Sequence, residues 1–159
     1  MAKPNFARMM QVIDETFATR NDPGQISVSP AQQKKLAAIH PSTLSELAND
    51  DGPLIWLLLI PTTKEIADAF LSGKITEKEL LDKTPIGASY DCIYLCSAST
   101  LPEARGKGQT KSLCIKAIKE IAALHPIKTL LVWPFTKEGN ILAKKIANQT
   151  GLELLVKEK

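Results

Sequence analysis

Apolar residues recur at helical spacing over residues 5–19, where Phe6, Met9, Met10, Ile13 and Phe17 share one face. Asn21-Asp22-Pro23-Gly24 breaks that pattern, and Gln25–Ser29 reads as a short extended piece. Ser29-Pro30 supplies an N-cap and a first-turn proline for a helix to Ile39. A second short helix is expected over Ser42–Ala48, ended by Asn49-Asp50-Asp51-Gly52. The run from Pro53 to Pro61 is apolar throughout and predicts a buried strand. Two capping patterns follow, Thr62-Thr63-Lys64-Glu65 and Thr76-Glu77-Lys78-Glu79, each opening a short helix. Gly73 separates them.

Beyond residue 88 the pattern alternates. Tyr90–Ser99 predicts a strand, Gln109–Leu124 a long helix, and Lys128–Phe135 another strand. Thr136 is placed to cap a helix to Asn148, Gly151 ends it, and Leu152–Val156 predicts a last strand. This order makes a layered α/β (α+β) domain. One domain over residues 1–159 is expected, with a helical part over 1–50, strands with two short helices at 62–82 over 53–100, and an alternating helix–strand part over 101–152.

Composition narrows the function classes only a little. Hydrophobic residues at 44% and charged residues at 23% are globular values, which argues against global disorder. The nine-residue run 53–61 is too short to span a bilayer, which needs about 20 apolar residues. The N-terminus lacks an apolar leader core, so a cytoplasmic protein is expected. Cys92, Cys96 and Cys114 fit neither a disulfide framework nor a zinc pattern, and read as small buried hydrophobes. His40 and His125 each precede a proline and read as loop residues, so no metal is expected. Trp56, Trp133 and Phe135 read as core aromatics, with Trp133 closest to the strand ends.

The chemistry concentrates in Leu101-Pro102-Glu103-Ala104-Arg105-Gly106-Lys107-Gly108-Gln109-Thr110, between a strand and a long helix. Two glycines let the backbone turn tightly and approach a ligand. Unpaired N–H groups at the helix start, with Arg105, Lys107 and Lys111, make an anion site suited to a phosphate or pyrophosphate. Neither GxGxxG nor the Walker pattern fits, because both want glycine at Lys111.

This loop resembles the pyrophosphate loop of the GNAT superfamily of acyl-CoA-dependent N-acyltransferases, whose signature is Arg/Gln-x-x-Gly-x-Gly/Ala. Arg105 and Gly108 fit, with Thr110 at the last position; shifting the register by two puts Glu103 first, ahead of Gly106 and Gly108. The family's later Asn-x-x-Ala-x-x-x-Tyr-x-x-x-Gly-Phe is matched by Asn140, Ala143 and Gly151, with Leu152 for phenylalanine and Ala147 for tyrosine. The resemblance covers residues 90–152. It implies a mixed, mostly antiparallel sheet with a splayed parallel pair, formed by the strands at 90–99 and 128–134.

It further implies acetyl-CoA as co-substrate and a primary amine, on a small molecule or peptide, as acceptor. Residues 106–110 and Arg105 would hold the pyrophosphate, the strand edge near Ala98 and Thr100 the pantetheine arm, and Asn140 the pantetheine region. Candidates for proton transfer are Asp91 and Tyr94, Tyr94 also being placed to line the pocket. Asp91 is expected to point away from the Cys92 face. A non-catalytic module that holds acyl-CoA or a partner protein is the alternative. No nucleic acid or membrane partner is expected, and the chain is read as a monomer or homodimer.

Charge is split along the chain. Residues 1–103 carry 9 basic and 13 acidic residues, a net of −4, whereas residues 104–159 carry 11 and 4, a net of +7. A polyanionic ligand on the basic part accounts for the split, and the acidic part suits a cationic amine.

Overall fold

The computed structural model describes residues 4–20, 30–133 and 137–157. The expected break at 21–24, the extended piece at 25–29 with its Ser29 cap, and Phe135 with the Thr136 cap all lie outside the described residues. So do the side chains of Ile13 and Phe17.

Six helices and five strands are described. The helices are α1 (Pro4–Arg20), α2 (Pro30–Ile39), α3 (Lys64–Leu71), α4 (Glu77–Lys83), α5 (Gln109–Ala122) and α6 (Lys137–Thr150). The strands are β1 (Leu44–Asn49), β2 (Gly52–Thr62), β3 (Cys92–Thr100), β4 (Thr129–Val132) and β5 (Glu153–Val156). They form one sheet in chain order, β1-β2-β3-β4-β5. β1–β2 and β2–β3 pair antiparallel, and β3–β4 and β4–β5 pair parallel. The sheet is therefore mixed, as expected, with two long antiparallel ladders and two shorter parallel ones.

The largest departure from the sequence pattern is β1. Residues 42–48 were expected to be helical; Leu44–Asn49 instead form an edge strand after a short 3₁₀ turn at Pro41–Thr43. Leu, Glu and Ala favour helix locally. The neighbouring β2 is buried along nearly its whole length, and its backbone groups on this side need partners. β1 supplies them from Leu44↔Leu58 to Asn49↔Gly52. Residues 49–52 are thus a hairpin turn, not a helix stop. Asn49 Oδ1 accepts from the Asp51 N–H at 2.9 Å, and Gly52 takes a φ of 117°.

Helices cover both faces of the sheet. On one face Leu58, Ile60, Cys92, Tyr94, Cys96 and Leu131 meet α2, α3 and α4 through Leu36, Ile39, Ala67, Phe70, Leu80 and Leu81. On the other, Ile55, Leu57, Leu59, Ile93 and Leu130 meet α5 and α6 through Cys114, Ala117, Ile118, Ile121, Ile146 and Ala147. The three cysteines are free and buried, as expected. α1 is only partly apolar-in. Met9 is buried, while Phe6 is half exposed and meets Trp56 edge-on at 5.8 Å between ring centroids.

α3 and α4 start where the capping patterns put them. In α4 the box is complete: Thr76 Oγ1 accepts from the Glu79 N–H at 3.1 Å, and Glu79 Oε1 accepts from the Thr76 N–H at 3.0 Å. Glu79 does the capping, which leaves Glu77 one turn before Leu80 and Leu81 and on their buried face.

Candidate functional site

β3 carries the site because it outlasts its parallel neighbour. Pairing with β4 runs from Cys92↔Thr129 to Leu95↔Val132. From Cys96 to Thr100 no β4 residue stands opposite among the described residues, although Ser97–Thr100 stay paired to β2 on the other side. The change coincides with an irregularity. Leu58↔Ser97 is followed by Leu59↔Leu95, so Cys96 is the extra residue of a bulge. The β4-side edge of β3 around Ala98, the stretch expected to meet a pantetheine arm, thus has no strand partner among the described residues. Ala98 itself is exposed.

The strand leads into the glycine loop. After a 3₁₀ turn at Pro102–Ala104, Arg105 Nε donates to the Thr100 carbonyl at 3.0 Å, folding the loop back on the strand end. Thr100 and Thr110 hydroxyls meet at 2.9 Å, joining the strand end to the first turn of α5. Gly106 and Gly108 both take left-handed conformations, φ 75° and 73°. A side chain at either would be strained by φ alone, since a Cβ there meets nothing within 4 Å. Gly108 is the N-cap of α5 and no side chain caps it, so the first-turn N–H groups of Gln109, Thr110 and Lys111 have no intrahelical partner. Residues 105–109 are exposed. Arg105, Gly106, Lys107, Gly108, Gln109 and Thr110 are therefore brought together at one helix start.

The loop is also tied to α1. Arg8 binds Glu103 through two parallel bonds, at 2.6 and 2.7 Å. The Arg8 hydrogen bond holds the Glu103 carboxyl well below its ordinary range, at about 2. Glu103 is thus engaged with Arg8, beside the glycine loop.

Asn140 lies in the first turn of α6, with its Oδ1 buried and without a hydrogen-bond partner among the described residues. Ala147, at the family's tyrosine position, is buried and packs between α6 and the sheet. Asp91 is not brought to the site. It precedes β3, and its carbonyl accepts from Lys128 and Thr129 N–H groups at 2.9 and 3.3 Å. Thr100 lies nine residues further along the chain, about 30 Å when extended.

Tyr94 lies in the paired part of β3, fully buried on the face that α3 and α4 cover, and in company that sequence reasoning missed. Its hydroxyl donates to Glu77 Oε2 at 2.8 Å, and the Cys96 thiol donates to Glu77 Oε1 at 3.3 Å. Glu77 is 2% exposed. The Tyr94 ring lies 4.8 Å from that of Phe70, which lies 6.0 Å from Trp133. Over Phe70 and Trp133 sits the Lys157 ammonium, 5.5 and 5.0 Å from the ring centroids. Lys157 is held there by its own N–H, which donates to the Val132 carbonyl at 2.8 Å. A signal for Glu77 existed in its spacing from Leu80 and Leu81. Lys157 had only strand parity with Leu155.

Comparison with protein-family models, with curated proteins and with solved structures gives no match. What this chain does is therefore argued from its own geometry. Among the described residues no three His, Cys, Asp or Glu side chains group as metal ligands, and no helix is long and apolar enough to cross a membrane.

The other end of the sheet holds a second polar group. His40 is buried, and its Nδ1 accepts from the Ser42 N–H at 2.9 Å. His125 stands edge-on to it at 6.3 Å and lies 4.7 Å from the Tyr90 ring. The Ser42 hydroxyl donates to Glu120 at 3.1 Å. Burial first, and His125 second, lower the His40 pKa from its ordinary value.

Proposed function

We propose that the chain is an acyl-CoA-dependent N-acyltransferase that moves an acetyl group from acetyl-CoA to a primary amine by direct attack in a ternary complex. The observation that carries this reading is the continuity of an open strand edge at Cys96–Thr100 with a double-glycine helix start at 105–110. An extended polar arm ending in a pyrophosphate fits such a surface. The arm adds to the β3 edge by backbone hydrogen bonds near Ala98 and Thr100, and the pyrophosphate meets the N–H groups of α5 with Arg105 and Lys107 beside it. The orphaned Asn140 Oδ1 gives an amide N–H of the arm an acceptor.

An alkylammonium has an ordinary pKa near 10.4, so attack needs a proton acceptor. The thioester oxygen gains charge as the amine adds, and in this reading a backbone N–H of the β3 edge stabilises it. Collapse breaks the C–S bond, and the leaving thiolate takes a proton. Ala147 cannot give one. Tyr94, on β3 and hydrogen-bonded to Glu77, takes that role in this reading.

The alternative, a module that holds acyl-CoA without turnover, is favoured by one observation, the burial of Ala147 in the core where a donor would be needed. Two measurements separate them. Calorimetry is expected to show acetyl-CoA binding to the wild-type chain, with loss of about tenfold or more in Gly108→Val, whose β-branched residue disfavours a φ of 73°. Undiminished affinity in a folded variant overturns the loop assignment. Thiol release from acetyl-CoA across a panel of primary amines then reads turnover, and binding without release for every amine favours the module.

A further inference from the structure

The cluster around Lys157 is unlike the rest of the core. It gathers a carboxylate, a phenol, a thiol and an ammonium, all at most 8% exposed, beside the rings of Phe70 and Trp133. Buried charge of this kind is costly, and a methionine would fill the same space without it. Its position is also particular. Trp133 follows Val132, the last β4 residue paired to β3, so it stands level with Cys96, where the β3 edge opens. Ligands of open parallel sheets bind at these carboxyl ends of the strands. Aromatic faces and a carboxylate are the chemistry that recognises an alkylammonium.

We propose that Phe70, Trp133, Tyr94 and Glu77 form the subsite for the amine of a primary alkylamine acceptor, and that Lys157 fills it as a built-in acceptor, itself the first amine to be acylated. The inference rests on the acyltransferase reading and names the acceptor class for that same site. In the step, the Lys157 ammonium gives one proton to the Glu77 carboxylate. The free amine nitrogen attacks the thioester carbonyl carbon, a C–N bond forms and the C–S bond breaks. The departing thiolate takes a proton from the Tyr94 hydroxyl, which is restored by the second proton of the nitrogen, leaving an amide on Lys157 and free CoA thiol. Glu77 returns its proton to water. An external amine reaches the same position once Lys157 is displaced.

The test labels the wild-type chain with acetyl-CoA and maps acetylated lysines against time by mass spectrometry. A buried lysine with only a structural role is shielded and reacts last. The proposal expects the reverse, Lys157 gaining its acetyl group at least about tenfold faster than exposed Lys34, Lys74 and Lys119, because the thioester is held beside it. Glu77→Gln is expected to remove that preference. If calorimetry shows acetyl-CoA bound while Lys157 reacts no faster than the exposed lysines, this inference is overturned and the acyl-CoA reading stands. If acetyl-CoA does not bind at all, both fall, and for a separate reason. In a folded Lys157→Ala variant, kcat/KM for butylamine is expected to rise about tenfold as the subsite opens; no rise counts against the proposal. Should that variant not fold, the wild-type labelling decides alone.

Discussion

The two ends of the sheet carry similar groups in different settings. At the carboxyl ends of the parallel strands, Glu77, Tyr94, Cys96 and Lys157 are buried, and β3 runs on past its last β4 partner among the described residues toward the glycine loop. At the opposite end, His40, Ser42, Glu120, His125 and Tyr90 sit beside a chain whose backbone is locked. His40 Nδ1 takes the Ser42 N–H, Thr43 Oγ1 donates to the Leu36 and His40 carbonyls, and Tyr90 donates to the Pro85 carbonyl. The difference separates buried polar groups that satisfy one another beside an unpaired strand edge from polar groups that fasten the backbone. Asp91 belongs to the fastening end, where its carbonyl accepts from the Lys128 and Thr129 N–H groups.

The largest test of the contrast is Glu77→Ala. It strands the Tyr94 hydroxyl and the Cys96 thiol in the core, and the expected cost is about 2–4 kcal/mol by urea denaturation. Glu77→Gln keeps an acceptor for Tyr94 and is expected to cost less than half as much. Equal losses in both would mean that charge, not hydrogen bonding, holds this end together.

The fastening end is expected to reveal itself in acid. His40 has a folded pKa below its ordinary value of 6.5, so the folded state binds the proton less tightly than the unfolded chain. The His40 contribution is complete above about 6.5 and shrinks as pH falls from there toward the folded pKa. Charging Nδ1 would also set N–H against the Ser42 N–H and break the turn into β1. Thermal melts between neutral pH and pH 5 are expected to show this loss, and His40→Gln to flatten it. An unchanged slope in that variant assigns the acid sensitivity elsewhere.

What the sequence made legible follows from how local each signal is. The capping residues of α3 and α4 act within one turn, so Thr63 and Thr76 were readable, and Gly108 was readable because a left-handed cap needs glycine. β1 was not, since its residues favour helix and only the demand of β2 for partners across the sheet makes them a strand. Glu77 was seen as part of a cap and its buried role missed, because Glu79 shared the same motif. The pairing of His40 with His125 and the seat of Lys157 join residues far apart in the chain, and no spacing encodes them. Thr76→Ala checks the local kind of signal directly. Losing one box partner is expected to cost about 1 kcal/mol and leave the glycine loop unaffected.

The smallest effect sits at the glycine-loop end, at the Arg8–Glu103 pair. Both side chains are nearly half exposed, so the pair contributes little to stability, and Arg8→Ala is expected to leave the melting temperature within error. Its consequence is electrostatic and local. With Arg8 gone, the Glu103 carboxyl is expected to rise from about 2 toward its ordinary 4.5, read by carbon NMR titration. At neutral pH Glu103 stays ionised either way, but it now faces Lys107 and the α5 start without its counter-ion. An uncompensated carboxylate beside an anion site repels the anion. Acetyl-CoA affinity is therefore expected to weaken modestly in Arg8→Ala and to recover in the double variant Arg8→Ala/Glu103→Gln, by calorimetry at low salt. If the double variant binds no better than the single one, the α1 contact acts on the loop by position and not by charge.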